Sequence, residues 1–295
     1  MYRQWHGSMF VLVSAVSFGL MPIFARFAYR NGVGVQELLF MRFVLAVLLT
    51  GISLRVTGKL IMPQRNHLLI LFALGGIGYY LQSTFYFTAL LYVPVSVVAL
   101  VLYTYPAFVT VCSLVLGWEK FSVSVVLSLL LALLGLVLVA NPIIDAAATG
   151  ILIALGAPIT YTAYILVSKR VLEGLSGEVG SFYVMGSASL SFGISGLATG
   201  GLHLAWNVEA WIWVIMIGLI STSLAAAMFF KGLKLVGPSR ASILSTAELI
   251  TSVVAASIIF DELLSVTQLI GGLLILLATA LASLASYTSN RENSV

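Results

Sequence analysis

Glu119-Lys120-Phe121-Ser122-Val123-Ser124 and Glu262-Leu263-Leu264-Ser265-Val266-Thr267 are one stretch written twice, each followed by an apolar run rich in Leu and small residues. They lie 143 residues apart. The same offset sets Gly7 on Gly150, Arg26 on Lys169, Gly34 on Gly177, Gly75 on Gly218, Val93 on Val236 and Ser96 on Ser239, without a gap. The chain is therefore a tandem repeat, read as units 1–145 and 146–295 that form one working body. A unit with an odd number of membrane crossings must enter the bilayer upside down the second time, the plan of many secondary transporters.

Composition supports crossings of that kind. Hydrophobic residues make up 61% of the chain and charged ones 8%, with a mean hydropathy of +1.12, against about half and a quarter in soluble domains. At roughly 20 residues per helical crossing, the apolar runs resolve into ten spans, near 7–30, 36–57, 67–91, 94–117, 122–140, 149–172, 178–200, 208–232, 238–260 and 264–287. The runs are continuous and lack the alternation of a lipid-facing barrel strand, so the spans are helices. The fold class expected is an all-α membrane protein of ten transmembrane helices, arranged as two inverted five-helix repeats. The first span is expected to be retained rather than cleaved, because Arg26 and Arg30 close it where a small-residue cleavage site would stand.

Basic residues set the orientation. With the N-terminus in the cytoplasm, the inner ends collect Arg3, Arg55, Lys59, Arg65, Lys120, Lys169, Arg170, Lys231, Lys234, Arg240 and Arg291, while the outer ends receive Arg26 and Arg30. That asymmetry places both termini inside by the positive-inside rule. It also accounts for the net charge of +4 as basic loops against anionic lipid, with no nucleic-acid partner.

Several chemistries are excluded. The only Gly-Lys pair, Gly58-Lys59, has Ser53 where a phosphate loop needs its first glycine, so no ATP-driven step is expected. His6, His67 and His203 fall near span ends, which leaves neither a metalloprotease face nor a base for a serine nucleophile. Cys112 stands alone and allows no internal disulfide. No enzyme activity, metal or cofactor is expected.

Polar side chains at mid-depth are costly unless they face protein, water or ligand. Ser17 and Phe18 lie in the middle of span 1, and their repeat mates Thr160 and Tyr161 in the middle of span 6. Span 3 carries Tyr79, Gln82, Ser83 and Tyr86 at i, i+3, i+4 and i+7, one face of a helix, beside Tyr80. Thr222 and Ser223 of span 8 answer Tyr79 and Tyr80. Span 4 places Ser96, Ala99, Tyr103 and Pro106 on one stripe, and span 9 places Ser239, Ser242, Thr246 and Leu249 on the equivalent one. A phenol at mid-depth needs a hydrogen-bond partner, which either a cavity or helix packing supplies; a Ser or Thr there serves equally as a small packing residue. In spans 5 and 10, Ser124, Ser128, Ala132 and Gly135, and Gly271, Gly272, Ala278 and Ala282, form small-residue ridges suited to packing within a chain or between two chains. Gly75-Gly76-Ile77-Gly78 is read as close packing.

Two charges lie deep. Glu248 is about ten residues into span 9, near half depth at 1.5 Å per residue, and Arg42 is about six residues into span 2; an isolated charge there costs roughly 3 kcal/mol or more. Glu248 is read either as a carboxyl tying helices together or as a substrate-amine or proton site. Arg42 is read as structural, reaching the outer interface or pairing with Glu37. Pro22, Pro94, Pro106, Pro158 and Pro238 fall in first turns or interiors, and the interior ones kink a helix.

These pieces together, namely five helices repeated, Ser17-Phe18-Gly19, Phe40-Met41-Arg42-Phe43, Tyr86-Phe87-Thr88-Ala89-Leu90 running to Val95-Ser96, Pro106, and Gly117-Trp118-Glu119-Lys120-Phe121, resemble the drug/metabolite transporter superfamily, and within it the EamA-type exporters. The likeness covers essentially the whole chain and looks closest to the bacterial branch that handles aromatic amino acids. It implies a multi-pass transporter of the bacterial inner membrane that exports amino acids and related small metabolites through a central cavity, with helices 5 and 10 peripheral. Phe18 stands where the family often has Trp, and Leu249 where the first repeat has Pro106.

The reading is thus a secondary transporter working by alternating access, spans 1–4 rocking against 6–9, as a monomer or homodimer in the bilayer. Tyr79, Tyr80, Gln82, Ser83, Tyr103 and Tyr161 are the expected substrate contacts, Ser17, Thr160 and Thr222 a polar rim, and Glu248 an amine or proton site. The alternatives are a drug or nucleotide-sugar transporter, the latter disfavoured because no cluster of mid-depth Arg or Lys is present to bind phosphates, or a receptor or scaffold that transports nothing.

Overall fold

A computed structural model describes residues 2–117, 123–140, 144–171, 175–200 and 202–292. Among these residues the chain is helical throughout, with no strand. The helices join into ten rods: α1 (residues 2–30), α2 (Val35–Val56), α3 (residues 65–89), α4 (residues 95–115), α5 (Val123–Ala140), α6 (Ile144–Val171), α7 (Gly177–Thr199), α8 (residues 208–236), α9 (residues 238–260) and α10 (Val266–Glu292). Seven helices are long and apolar enough to cross a membrane: those in α1, α2, α3, α4, α6, α8 and α9. Shorter apolar helices lie in α5 and α10, and α7 carries a run of Ser and Gly that lowers its hydropathy.

Consecutive rods reverse direction. Residues 7 and 236 meet at one end of the bundle, where a side chain at Gly7 would strike Val236, and Gly150 meets Tyr92 and Val93 at the other. The end that holds the start of α1 is called here the terminal face, and the opposite end the far face. Of the opening repeat, Val123 and Ser124 of the first copy and the whole second copy lie within described residues; Glu119 to Ser122 lie outside them, as do the side chains of Lys169, Ser239 and Ser242.

Several rods are interrupted near mid-depth, two of them beside a proline. In α1 the helix breaks at Leu20 and resumes at Met21, one residue before Pro22, because proline has no N–H to give the preceding turn. In α4 the break comes at Tyr103 and Thr104, just before Pro106. The equivalent break in α9 falls at Thr246, the repeat position of Tyr103, although Leu249 replaces the proline. Pro158, expected to kink, lies inside the unbroken helix Ile144–Val171, and Thr162 donates to its carbonyl at 2.7 Å.

α3 and α8 each contain one wide turn, Leu74–Tyr79 and Leu219–Leu224. In the second, Thr222 and Ser223 donate their hydroxyls to carbonyls five residues back, Ile217 and Gly218. Such π turns concentrate at functional sites. Gly75 opens the first against α7, where an added Cβ would overlap the Val184 carbonyl, and Ser191 of α7 donates to the Gly76 carbonyl at 2.9 Å. The glycine run is thus close packing, as read from sequence. The α5 and α10 ridges pack on each other within the chain, since a Cβ on Gly135 would lie 2.6 Å from the Gly271 carbonyl and one on Gly271 2.7 Å from that of Gly135.

Candidate functional site

Two adjoining cavities occupy the middle of the bundle, and they share Phe18, Tyr103, Tyr105, Tyr161 and Glu248 in their walls. The larger, about 580 Å³, extends from these residues past Thr110, Ile165, Phe229, Leu233, Ser245 and Thr246. Each of those lies on the terminal side of mid-depth in its rod, so this cavity leads toward the terminal face. The smaller, about 150 Å³, continues the other way, past Met21, Arg42, Gln82, Tyr86 and Leu102.

The helix breaks place the shared wall. The break at Tyr103 turns its ring toward α9, where its hydroxyl donates to the Ser245 carbonyl at 3.1 Å. The break at Thr246 leaves Glu248 in the first turn of the helix Ala247–Phe260, a favourable position for an acid because the free N–H groups there carry partial positive charge. Rings continue the wall in sequence. Tyr105 meets Tyr161 edge-on at 4.8 Å, Tyr161 stacks on Tyr164 at 5.9 Å, Tyr164 lies 5.5 Å from Tyr79, and Tyr79 lies 5.4 Å from Phe43.

Arg42 is 2% exposed. Its Nε donates to Thr222 Oγ1 at 3.0 Å and its Nη2 to the Tyr79 hydroxyl at 3.4 Å, and the guanidinium lies over the Phe43 and Phe87 rings at 4.7 and 5.2 Å. The expected pairing with Glu37 is absent, because that carboxylate accepts from the Gly34 N–H at 2.5 Å and the His203 N–H at 3.0 Å. Five residues apart on a helix puts the two side chains about 140° apart around the axis. That spacing already argued against the pair.

The structure groups Tyr79, Gln82, Tyr103, Tyr161 and Glu248 in the cavity walls. Others of the expected contacts line neither cavity. Tyr80 points at α7, donating to Ser195 at 3.0 Å and packing 4.5 Å from the Phe192 ring; Ser83 turns to Gln82 Oε1 at 3.3 Å. Thr160 bonds back to the Gly156 carbonyl at 2.6 Å, as helix-borne threonines do when no better acceptor is near. Ser17 is buried, and Thr222 acts through Arg42. Arg42 and Tyr105 are among the wall residues that the sequence reading did not select as contacts; Tyr105 is the repeat mate of Glu248, and that symmetry was the available signal.

The far face carries a cluster of ties. The Glu262 carboxylate pairs with Arg26 Nη1 at 2.6 Å and also accepts from the N–H groups of Val95 and Ser96, both at 3.1 Å, and from Ser96 Oγ at 2.9 Å. One acid from the α9–α10 connection thereby ties α1 and the start of α4. Beside it Phe27 stacks on Trp213 at 4.4 Å and meets Phe260 at 5.3 Å, with Arg30 over Phe260 at 4.8 Å.

A multi-pass helical bundle with an aromatic and charged chamber at mid-depth has the architecture of a membrane transporter. The chain belongs to the EamA-like transporter family, whose model matches residues 5–141 and again residues 148–284, one match per repeat. It is 29% identical over 277 residues to an uncharacterized transporter of Archaeoglobus fulgidus, across 94% of this chain and 96% of that one. A crystal structure of a protein at 18% identity superposes with a TM-score of 0.65 over 97% of this chain and 98% of the other, which shows the fold alone.

Proposed function

We propose that this protein exports amino acids and related small metabolites by alternating access, and that the conformation described is the one open toward the terminal face. The observation that carries the reading is the continuity of the two cavities up to a far face held by Glu262. A pathway open at one end and tied at the other is what a rocking mechanism requires, and the tie joins the second repeat to the first. Breaks at Leu20, Tyr103 and Thr246 lie beside the chamber, where backbone bending moves its walls.

The same reading puts ten crossings in the bilayer, the terminal face in the cytoplasm and the protein in a bacterial inner membrane. Lys59 and Lys234 gather around Glu178 on the terminal face at 3.9 and 2.9 Å, while Arg26 and Arg30 are occupied on the far face, in keeping with the positive-inside rule. Aromatic walls suit an amino acid with a large apolar side chain. A nucleotide sugar is a poor fit, since among the described residues Arg42 is the single basic one in the walls of the two cavities and a diphosphate calls for several donors. The small-residue ridges are spent inside the chain at Gly135 and Gly271, which favours a monomer as the transporting unit.

Uptake of radiolabelled amino acids into proteoliposomes tests the reading. Saturable uptake of at least one, above protein-free vesicles, is the expected result; no uptake of any amino acid refutes it in favour of a scaffold.

A further inference from the structure

A buried arginine that is purely structural finds a carboxylate or several backbone carbonyls, since removing its charge from water costs several kcal/mol unless hydrogen bonds replace the lost hydration. Arg42 has neither. Among the described residues its hydrogen-bond partners are the Tyr79 and Thr222 hydroxyls, one donor bond to each. A guanidinium carries five N–H groups in a planar fork, so most of its donors stay uncommitted, and the side chain lies in the wall of the smaller cavity. The Thr222 hydroxyl hydrogen is already spent on the Ile217 carbonyl at 2.9 Å, which leaves its oxygen to accept from Nε and fixes the fork in one orientation.

The position is as telling as the chemistry. Tyr79 and Thr222 occupy the same place in the two repeats, and each comes from a π turn or the residue that closes one. One side chain held by both therefore lies on the line that relates the repeats, the place around which an inverted-repeat transporter alternates. The repeat mate of Arg42 is Met185, buried and uncharged, so the positive pole exists once. Glu248 lines the same small cavity, and no ion pair joins it to Arg42 among the described residues. An acid and a base that face one chamber without neutralising each other leave room for a molecule carrying both charges.

We infer that Arg42 is the receptor for the substrate's carboxylate, with the ammonium lodged against Glu248, so that the site selects a zwitterionic α-amino acid over its neutral-tailed analogues. This rests on the transport reading above and adds the residue that makes the acid group obligatory. A bidentate pairing of guanidinium with carboxylate supplies geometry as well as charge. One guanidinium matches one carboxylate, which separates this ligand from phosphate compounds.

The test measures thermal stabilisation of the purified full chain by the proteinogenic L-amino acids and by their α-carboxamides, converted to apparent affinities by linkage, in the parent and in Arg42→Gln and Arg42→Lys. In the parent at least one free acid binds about ten- to a hundredfold more tightly than its carboxamide, the span of one charged hydrogen-bonding interaction. Arg42→Gln brings acid and carboxamide level. Should Arg42→Gln not fold, Arg42→Lys decides: it keeps the charge and loses the fork, so acid affinity falls about tenfold while carboxamide affinity stays. A variant that keeps the parent's preference for the acid, or loses acid and carboxamide equally, overturns the role of Arg42 and leaves the transport reading standing. If no free acid stabilises the parent and none is taken up by proteoliposomes, both fall together.

Discussion

Replacing Glu262 by Gln should unlock the far face. The carboxylate holds Arg26, two backbone N–H groups at the start of α4 and the Ser96 hydroxyl. Glutamine keeps the shape and one acceptor, but its amide nitrogen turns a donor toward other donors. Arg26 is 30% exposed and Glu262 12%, so solvent screening holds the ion pair to about 1 kcal/mol. Loss of charge from the bonds to the Val95 and Ser96 N–H groups removes about 1 kcal/mol each. These contacts cross from the second repeat to the first and break when the halves part, so roughly 2 to 3 kcal/mol shifts from the closed to the open far face. At 1.4 kcal/mol per tenfold, the open population rises about thirty- to a hundred-and-fortyfold. The assay is labelling by a membrane-impermeant maleimide applied from the far face to a cysteine at Met21, in the wall of the smaller cavity, in a Cys112→Ala background. The labelling rate should rise by that factor relative to Glu262 protein. An unchanged rate with a lowered melting temperature would show that Glu262 only caps α4, and the gating argument would be wrong.

The other predictions are simpler. In proteoliposomes the parent's transport should respond to an imposed pH gradient, and Glu248→Gln should lose that response and, with the ammonium contact weakened, exchange substrate only at higher concentration; a parent indifferent to the gradient removes the proton role. Tyr103→Ala deletes both a cavity wall and the bond to the Ser245 carbonyl and should weaken substrate affinity by ~1 kcal/mol or more with membrane insertion intact, read by uptake beside the amount of inserted protein; parental uptake rejects the wall assignment. Single cysteines at Lys59 and Lys234 should label from the cytoplasm alone, and labelling from outside at either reverses the orientation.

Much of this protein is legible in one dimension because the bilayer simplifies the code. Apolar runs must be helices there, and an offset of 143 residues names equivalent positions without a structure. Tyr79, Gln82, Tyr103, Tyr161 and Glu248 were readable as site candidates because polar groups at mid-depth are costly and so are placed with a purpose. Other candidates line neither cavity. Tyr80 and Ser83 share the helix and depth of the wall residues, but a side chain's neighbour across the bundle decides its direction, and Ser195 and Gln82 take those hydroxyls. Pro158 shows the converse, since the helix Ile144–Val171 continues unbroken through it.

The chain by itself determined the helical class, the repeat and the pairs of equivalent residues, all consequences of local hydropathy and of the spacing between copies. Only the tertiary structure decided that Arg42 is held by Tyr79 and Thr222 rather than by Glu37, and that Glu262 ties Arg26 to the start of α4. Both depend on which side chains meet across different rods. Contacts such as Arg26 with Glu262 join residues 236 positions apart and exist only once the two halves are packed.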